Sequence, residues 1–354
     1  METKNELILS VKDLNVKFNL RGRVLHAIRD VNIDVYKGES LAIVGESGCG
    51  KSVLNKNFIG LLDGNGFVDS GEIHYFGMDG VADLDLAKIR KEKEWLKIRG
   101  GEISMIMQDP MTSLNPLKSI GAQIAEAIKI HQHLSGRALH EAVIQALVDV
   151  GIEEPERRAK QYPHEFSGGM RQRVVIAIAV ACKPKILICD EPTTALDVTI
   201  QAQILELLKM LKEKYNLTII FITHDLGVVA NIADRVAVMY AGDIIEIGLS
   251  REVFYDPRHP YTWALLSSLP QLGIKGQDLF SIQGTPPNLF KQVKGDAFAP
   301  RNQQALAIDF EERPPYFEIT KTHKARTWLL DPRAPHIDPP AAIRAIRQEK
   351  AAGR

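Results

Sequence analysis

Residues 41–52 read Leu-Ala-Ile-Val-Gly-Glu-Ser-Gly-Cys-Gly-Lys-Ser, a short apolar run followed by a glycine-rich loop. The loop Gly45–Ser52 matches the phosphate-binding pattern G-x-x-x-x-G-K-[ST]. Its glycines let the backbone N–H groups face an anion, and the next helix adds a favourable dipole. Lys51 would reach the β- and γ-phosphates of a nucleotide, and the Ser52 hydroxyl would bind Mg²⁺. Because a predicted strand, Leu41–Val44, precedes the loop, this site is favoured over a merely flexible turn.

A second apolar run supplies the acidic residues that such a site needs. Residues 185–191 read Lys-Ile-Leu-Ile-Cys-Asp-Glu, so Asp190 and Glu191 follow a predicted buried strand. Asp190 would hold Mg²⁺. Glu191 would orient and deprotonate an attacking water, a general-base role worth roughly 10²–10⁴-fold in rate. The alternative is two acidic residues that merely end a strand, and the phosphate loop argues against it.

Periodicity predicts an α/β fold. Strands separated by helices indicate a parallel sheet that is covered on both faces. The predicted strands are Leu7–Phe18, Val31–Tyr36, Glu39–Gly45, Lys185–Asp190 and Leu217–Thr223, and the predicted helices lie within Gly121–Asp149, at Ile200–Tyr215 and from Leu226. After about Gly248 prolines become frequent and the periodicity weakens. We therefore predict a separate, irregular C-terminal extension that ends in a short basic helix.

Composition restricts the classes of partner. Lys+Arg and Asp+Glu both number 44 in 354 residues, which argues against binding mainly through nucleic-acid phosphates or anionic lipid and leaves local basic patches open. The longest strongly apolar run, Val174–Cys182, is too short to cross a bilayer, which needs about 20 residues. We expect no export signal, and the three cysteines do not form a disulfide framework. A role at a membrane would thus depend on partner proteins.

Residues 166–173 read Phe-Ser-Gly-Gly-Met-Arg-Gln-Arg and open a predicted helix before the Asp190 strand. Ser-Gly-Gly at a helix N-terminus offers a hydroxyl, free backbone N–H groups and a helix dipole to an anion. Taken alone, Ser-Gly-Gly would be a flexible turn. In this order and position it resembles the signature of the ABC ATPase family, in which the signature of one subunit completes the ATP site of a second subunit. The resemblance implies that Ser167, Gly168, Gly169 and Met170 serve the partner's nucleotide.

The resemblance implies further site residues. Gln108 matches the glutamine loop that senses Mg²⁺ and the γ-phosphate, and His224 matches the switch histidine. Asp197, in Ala195-Leu196-Asp197, matches the loop that couples the two ATP sites. The expected catalytic residues are Glu191, His224 and Gln108, and the expected Mg²⁺ ligands are Ser52, Gln108 and Asp190. The expected ATP-binding residues are Phe18, Gly45, Glu46, Ser47, Gly48, Cys49, Gly50, Lys51, Ser52 and Val53. Phe18 would stack on adenine, with a core phenylalanine as the alternative.

Longer motifs resemble one subfamily from about residue 7 to 335. Gln108–Pro116, Arg251–Thr262, Gly284–Pro287 and Phe298–Arg301 look like the ATP-binding subunits of oligopeptide, dipeptide and nickel importers. An exporter would carry fused membrane spans, and soluble ABC proteins carry tandem or coiled-coil-split cassettes. The resemblance implies import of oligopeptides driven by Mg-ATP hydrolysis at the cytoplasmic face of a bacterial membrane. The alternatives are import of a dipeptide or nickel, or a soluble ABC ATPase without a transport role. The implied partners are a second, different ATPase subunit, two transmembrane subunits and an external peptide-binding protein.

The extension departs from many members of that subfamily. In those members, four cysteines of the extension bind an iron–sulfur cluster. At the matching positions this chain instead has Asp296, Asn302, Asp309 and Thr327. Since thiolates hold such clusters, we expect none, as in the streptococcal-type oligopeptide importer ATPases that lack these cysteines. Asp296 and Asp309 are expected to be solvated surface acids, with a hard-cation site as the alternative.

The resulting fold prediction is an α/β P-loop NTPase of ABC type. A RecA-like parallel-sheet core carries an antiparallel β subdomain and an inserted helical subdomain at about 108–180, all within 1–250. Residues 251–354 form the subfamily's irregular C-terminal extension. Leu114, Pro116 and Leu117 either line a groove for a membrane subunit's helix or pack in the core.

Overall fold

The computed structural model describes residues 6–80, 83–108, 113–194, 196–269 and 282–351. Residues 109–112 of the glutamine-loop motif and Ala195 of the coupling motif lie outside the described residues. None of the helices in the described parts of the chain has the length and apolarity that spanning a membrane requires.

Two sheets form the frame of the molecule. An eight-stranded sheet has the order β11-β12-β10-β9-β3-β8-β7-β6, and a four-stranded antiparallel sheet has the order β2-β1-β4-β5. The strands are β1 Leu7–Leu20, β2 Arg23–Tyr36, β3 Ser40–Val44, β4 Gly66–Tyr75, β5 Leu84–Asp85, β6 Ile103–Ile106, β7 Ile186–Asp190, β8 Thr218–Thr223, β9 Arg235–Tyr240, β10 Asp243–Leu249, β11 Phe317–Glu318 and β12 Lys324–Ala325. Strands β6, β7, β8, β3 and β9 run parallel, whereas β10, β12 and β11 add antiparallel pairs at one edge.

Helices cover the large sheet. They are α1 Lys51–Phe58, α2 Glu92–Ile98, α3 Ile120–Gln132, α4 Gly136–Asp149, α5 Pro155–Arg158, α6 Gly168–Val180, α7 Val198–Tyr215, α8 Leu226–Ile232, α9 Ser250–Tyr255, α10 Pro260–Ser267 and α11 Ala341–Ala351. Short 3₁₀ turns lie at Leu86–Lys88, Pro163–Glu165, Ala299–Arg301, Ala307–Phe310 and Trp328–Leu330. The helical period predicted for 121–149 is that of α3 and α4, which end and begin on either side of His133, a residue with φ +55°.

The central strands are apolar on both faces because both faces are buried. Every residue of β7 and β8 is buried. Alternate β7 residues point to opposite sides, since Ile188 packs in the cluster beneath the antiparallel sheet and Leu187 packs beneath α3, α4, α6 and α7. A third cluster joins β9 and β10 to the extension, with Tyr261, Phe298 and Ile343 at its centre. Continuous apolar runs are what a parallel sheet of this kind requires.

The C-terminal extension is docked on the large sheet. Strand β12 pairs with β10, so residues from beyond 315 extend the sheet by two strands. At the same junction the buried Glu246 carboxylate accepts hydrogen bonds from the backbone N–H groups of Arg258 and His259, at 2.7 and 2.9 Å. The His323 Nε2 lies 2.8 Å from the same carboxylate. The extension therefore has little regular structure but many specific contacts to the preceding chain.

The expectation of solvated surface acids in the extension is wrong. Asp296 and Asp309 are only 8% and 1% exposed. The Asp296 Oδ1 accepts a hydrogen bond from the Phe298 N–H at 2.9 Å, and the Asp309 Oδ2 accepts one from the Leu306 N–H at 2.7 Å. Both carboxylates thus hold tight backbone turns, which explains their burial. The described residues contain no group of three or more His, Cys, Asp or Glu side chains arranged for a metal, so the hard-cation alternative has no support among them.

Candidate nucleotide-binding site

The phosphate loop connects β3 to α1, and its glycines are required by close backbone approaches. Gly45 has φ +154°, and a Cβ atom there would lie 2.1 Å from the Met239 carbonyl oxygen. Gly50, directly before α1, has φ +109° and would place a Cβ atom 3.0 Å from the Ala27 carbonyl oxygen. Only glycine fits both positions. The local sequence therefore dictates the curled path of the loop.

Lys51 is held against this loop. Its Nζ donates to the carbonyl oxygens of Gly45 and Glu46 at 2.7 and 2.9 Å, and the residue is 5% exposed. The ammonium group is thus fixed beside the backbone N–H groups that a phosphate would meet. This is the arrangement expected of an anion site at a helix N-terminus.

Ser52 and Asp190 meet at the carboxyl end of the parallel strands. The Ser52 Oγ donates to the Asp190 Oδ1 at 3.2 Å. Burial raises the pKa of Asp190, as does the nearby charge of Glu191, while the Ser52 hydrogen bond and Lys51 lower it. A hydroxyl and a buried carboxylate are hard oxygen donors, and a divalent cation would offset the cost of burying that charge. The pair therefore fits Mg²⁺.

Glu191 is held by three side chains. Its carboxylate accepts hydrogen bonds from the Gln108 Nε2 at 2.9 Å and the Thr194 Oγ1 at 3.0 Å, and its Oε1 lies 3.1 Å from the His224 Nδ1. Burial raises the pKa of Glu191. The hydrogen bonds from His224 and Thr194 and the charges of His224 and Lys51 together outweigh burial, so the pKa lies below its usual value. The carboxylate is therefore ionised and oriented at neutral pH, as a general base must be.

Lys51, Ser52 and Glu191 line one open cavity of about 960 Å³. Its walls include most of the predicted ATP-binding and catalytic residues, namely Phe18, Ser47, Gly48, Gly50, Lys51, Ser52, Val53, Gln108, Glu191 and His224. Gly45, Glu46, Cys49 and Asp190 do not line it; Cys49 and Asp190 are buried beside it. Phe18 lines the cavity and is 8% exposed within the core, and its stacking on adenine stays a prediction. The cavity is large enough for a nucleotide.

The predicted trans residues lie outside this cavity. Ser167 caps helix α6 through a 3.4 Å hydrogen bond from the Met170 N–H to its Oγ, and it is exposed. Asp197 caps α7 in the same way, its Oδ1 accepting from the Ile200 N–H at 3.0 Å. Both are ordinary helix caps within this chain. Their predicted roles toward a second subunit stay predictions.

Sequence reasoning missed three parts of the site. Thr194 contacts Glu191, and its position three residues later in the same loop was a usable signal. Residues 287–290 of the extension line the cavity, and Arg301 contacts the phosphate loop. No local pattern could have signalled the last two, because they lie more than 200 positions from the residues that they contact.

Comparison with protein families agrees with this geometry. A family described as ABC transporter matches residues 28–194, and one described as oligopeptide/dipeptide transporter, C-terminal region, matches residues 245–308. The oligopeptide transport ATP-binding protein AmiE of Streptococcus pneumoniae is 55% identical over 97% of this chain and 95% of its own length. OppD of Bacillus subtilis, an oligopeptide transport ATP-binding protein, is 55% identical over 96% and 93%. The dipeptide transport ATP-binding protein DppD of Lactococcus lactis is 55% identical over 94% of each chain.

Solved structures match the cassette part of the chain. The ATP-binding cassette MJ0796, solved as a dimer in a post-hydrolysis state with ADP and Pi, has a TM-score of 0.60 at 27% identity, covering 69% of this chain and 99% of that one. CbiO1 of Clostridium perfringens, part of the ABC transporter complex cbiONQ, has a TM-score of 0.60 at 32% identity, covering 71% and 92%.

Proposed function

The chain belongs to the family of ABC transporter ATP-binding proteins, and on that premise we propose that it hydrolyses ATP to power the import of oligopeptides across a bacterial cytoplasmic membrane. The oligopeptide transport proteins AmiE and OppD support this substrate, since each is 55% identical over nearly the whole chain. The observation that carries the ATPase activity is the Glu191 carboxylate, held by Gln108, Thr194 and His224 in the cavity of the phosphate loop.

The proposed mechanism assigns one task to each group. The phosphate loop and Lys51 bind the β- and γ-phosphates. Gln108 and His224 orient the γ-phosphate. Glu191 accepts a proton from the water that attacks the γ-phosphorus atom. Mg²⁺, held by Ser52, Gln108 and Asp190, would neutralise phosphate charge when bound.

The proposed assembly contains two ATPase subunits facing head to tail. Its support is that Ser167 is exposed and lies outside this chain's own cavity. Ser167, Gly168, Gly169 and Met170 would complete the ATP site of a second, different ATPase subunit, and Asp197 would couple the two sites. ATP between the subunits favours a closed dimer, and hydrolysis removes the γ-phosphate contact and releases it.

The remaining proposed partners are two transmembrane subunits and, through them, an external peptide-binding protein. Leu117 is 86% exposed and Met107 is 50% exposed, so both are available to a membrane subunit's helix, whereas Leu114 is buried. We place the chain peripherally at the cytoplasmic face of the membrane. We divide it into a nucleotide-binding domain at 1–250, with its helical subdomain at about 108–180, and the extension at 251–354.

Peptide uptake tests the proposal. In the organism that encodes the chain, deleting the gene should abolish uptake of labelled tetra- to hexapeptides, and the wild-type gene but not Glu191→Gln should restore it. Undiminished uptake in the deletion strain would contradict the proposal. The 55% identity to DppD makes dipeptide import a second candidate. Loss of labelled dipeptide uptake alone would favour that function, and loss of labelled nickel uptake alone would favour nickel import.

A further inference from the structure

We propose that the C-terminal extension is a working part of the ATP site, in which Arg301 positions the phosphate loop and residues 287–290 form the wall that the nucleobase contacts. The proposal rests on the ATP binding assigned above and adds a role for residues far outside the cassette motifs. Two separate sets of contacts carry it, one at the phosphate end of the cavity and one at the apolar end.

Arg301 joins the extension to the phosphate loop. Its Nη1 and Nη2 lie 2.6 and 3.0 Å from the two carboxylate oxygens of Glu46, a bidentate ion pair. The guanidinium also donates to the Tyr240 Oη at 3.2 Å and to the carbonyl oxygens of Ile282 and Gln283 at 3.2 and 2.9 Å. The Arg301 side chain is only 4% exposed. Each N–H of the guanidinium therefore has an acceptor, and these five hydrogen bonds fix the orientation of the group.

Glu46 transmits that orientation to the phosphate site. Its backbone N–H donates to the Oη of Tyr261, a residue of α10, at 2.8 Å. Its carbonyl oxygen accepts from the Lys51 Nζ at 2.9 Å. Tyr261 and Arg301 therefore fix Glu46, whose carbonyl oxygen in turn accepts the hydrogen bond from Lys51. Removing Arg301 would leave Glu46 partly buried without its cation, and the loop would shift to rehydrate the carboxylate.

Residues 287–290 pack against the hairpin of β1 and β2, which contains Phe18. Phe18 is paired with Leu25 across β1 and β2, and the next residue, His26, donates its backbone N–H to the Leu289 carbonyl oxygen at 3.0 Å. The Arg23 Cζ lies 4.6 Å from the centre of the Phe290 ring. The extension segment is thus fixed beside the candidate adenine contact.

The apolar end of the cavity is suited to a nucleobase. Most of the aromatic and aliphatic side chains among its lining residues come from the β1–β2 hairpin and from the extension, including Leu20, Leu25, Leu289 and Phe290, and Val53 of α1 adds one more. The base is the apolar, aromatic part of ATP, and the phosphates are drawn to the Lys51 end. Phe290 is 36% exposed, whereas Phe298, which packs in the cluster between the extension and the sheet, is 2% exposed. The part of the Phe290 ring that Arg23 leaves uncovered is therefore available to the base.

Two ligands separate the two roles. The full-length chain and its variants are titrated calorimetrically with ATP and with inorganic tripolyphosphate, which has the phosphates but no base. Phe290→Ala should weaken ATP binding at least about fivefold, the lower value for base–aromatic stacking, and leave tripolyphosphate binding unchanged. Arg301→Gln should weaken both ligands by the same factor, and Arg301→Lys should recover part of that loss.

Matched controls come from the same extension. Phe310→Ala and Arg333→Gln alter exposed residues that neither line the cavity nor contact the phosphate loop, and both should bind both ligands as the wild type does. Glu46→Gln keeps the shape of the side chain and repeats the Arg301 test should Arg301→Gln fail to fold. Wild-type ATP affinity in Phe290→Ala, or wild-type affinity for both ligands in Glu46→Gln, would overturn the proposal. A wild-type chain that binds neither ligand would instead refute the proposed function.

Discussion

At the scale of single residues, the site depends on where carboxylates are placed. Glu191 begins the loop after β7 with φ +47°, and its N–H donates to the Ile222 carbonyl oxygen at 3.0 Å. A non-glycine residue in the left-handed region is strained, and such strain persists only where neighbouring contacts hold it. Here the neighbouring contacts are those of the Glu191 carboxylate with Gln108 and His224. A single side chain thus connects the end of β7 to Gln108 and His224.

Glu191→Gln should bind ATP within about threefold of wild type and lose roughly 10²–10⁴-fold in turnover. Glutamine keeps the shape and one acceptor oxygen but cannot take the proton of the attacking water. Phosphate release at saturating ATP and calorimetric ATP binding measure the two quantities. Glu213→Gln, an exposed change on α7, is the control. Wild-type turnover in Glu191→Gln would remove the general-base assignment.

The raised pKa of Asp296 leads us to expect that the free energy of unfolding depends on pH. Burial raises its pKa to about 7, and the neighbouring Asp309 and Asp243 act in the same direction. The nearest imidazole, His259 at 3.7 Å, gives no compensating charge, because burial lowers its pKa to about 3. An acid whose pKa is higher in the folded state stabilises the fold below the unfolded pKa of 3.8, and this contribution is lost as the pH rises through 7.

Asp296→Asn should therefore be more stable than wild type at pH 8 and lose that advantage toward pH 4. At about 1.4 kcal/mol per pKa unit, the upper limit of the difference is about 4 kcal/mol. Asparagine keeps the oxygen that accepts from the Phe298 N–H. Free energies of unfolding from denaturant titrations at the two pH values give the result. The exposed change Asp338→Asn should show no comparable trend, and an equal difference at both pH values would contradict the prediction.

At the scale of elements, helix N-termini carry much of the proposed chemistry. Helix α1 begins at Lys51 in the nucleotide cavity, and α6 begins at Gly168 outside it. Gly169 has no room for a larger side chain without movement, since a Cβ atom there would lie 3.0 Å from Ile200. The N-terminus of α1 therefore faces the cavity proposed for this chain's own nucleotide, whereas the N-terminus of α6 lies outside it, as the proposed role toward a second subunit requires.

Ser167→Arg should leave ATP binding by the isolated chain within about twofold of wild type and abolish turnover of the assembled pair of ATPase subunits. The bulky cation would occupy the space of the partner's γ-phosphate, whereas loss of the cap would cost α6 only about 1 kcal/mol. Ser135→Arg, at the exposed N-cap of α4, is the matched control and should spare both activities. Lost ATP binding by the isolated Ser167→Arg chain would contradict the trans arrangement.

At the scale of the whole molecule, Arg313 ties the extension to both sheets. Its guanidinium donates to the Asp243 Oδ2 at 2.6 Å on β10 and to the Asp30 Oδ2 at 2.7 Å on β2. The Asp243 side chain is 5% exposed, and burial raises its pKa although Arg313, Arg326 and Arg29 oppose that effect. The buried carboxylate thus depends on a cation from a distant part of the chain.

Arg313→Gln should lower the free energy of unfolding by about 3 kcal/mol, because it leaves a buried carboxylate without its closest cation. Arg333→Gln breaks the pair between an exposed guanidinium and Asp331 and should change the free energy of unfolding far less, because water screens that pair. In the double variant Asp243→Asn/Arg313→Gln the loss should be smaller than the sum of the two single losses. If Arg313→Gln and Arg333→Gln lowered the free energy of unfolding equally, the buried pair would stabilise the fold no more than the Arg333–Asp331 pair.

The sequence by itself determined the nucleotide cassette. The phosphate loop, the Asp190–Glu191 strand end and the Ser167 helix start are each encoded in consecutive residues, and the apolar runs of β3, β7 and β8 predicted a parallel sheet. Such features are local, so a short stretch of sequence contains both the backbone requirement and the chemical group. The meeting of Lys51, Ser52 and Glu191 followed because parallel strands place their carboxyl ends at one edge.

Only the tertiary structure decided which parts of the chain the extension contacts. Arg301 and Glu46 are 255 positions apart, Arg313 and Asp30 are 283 apart, and no periodicity relates them. The same holds for Asp296 and Asp309, which look like surface acids in sequence and are buried in the fold. Ion pairs and burial depend on which distant surfaces are packed together, and packing of an irregular segment leaves no repeating pattern along the chain.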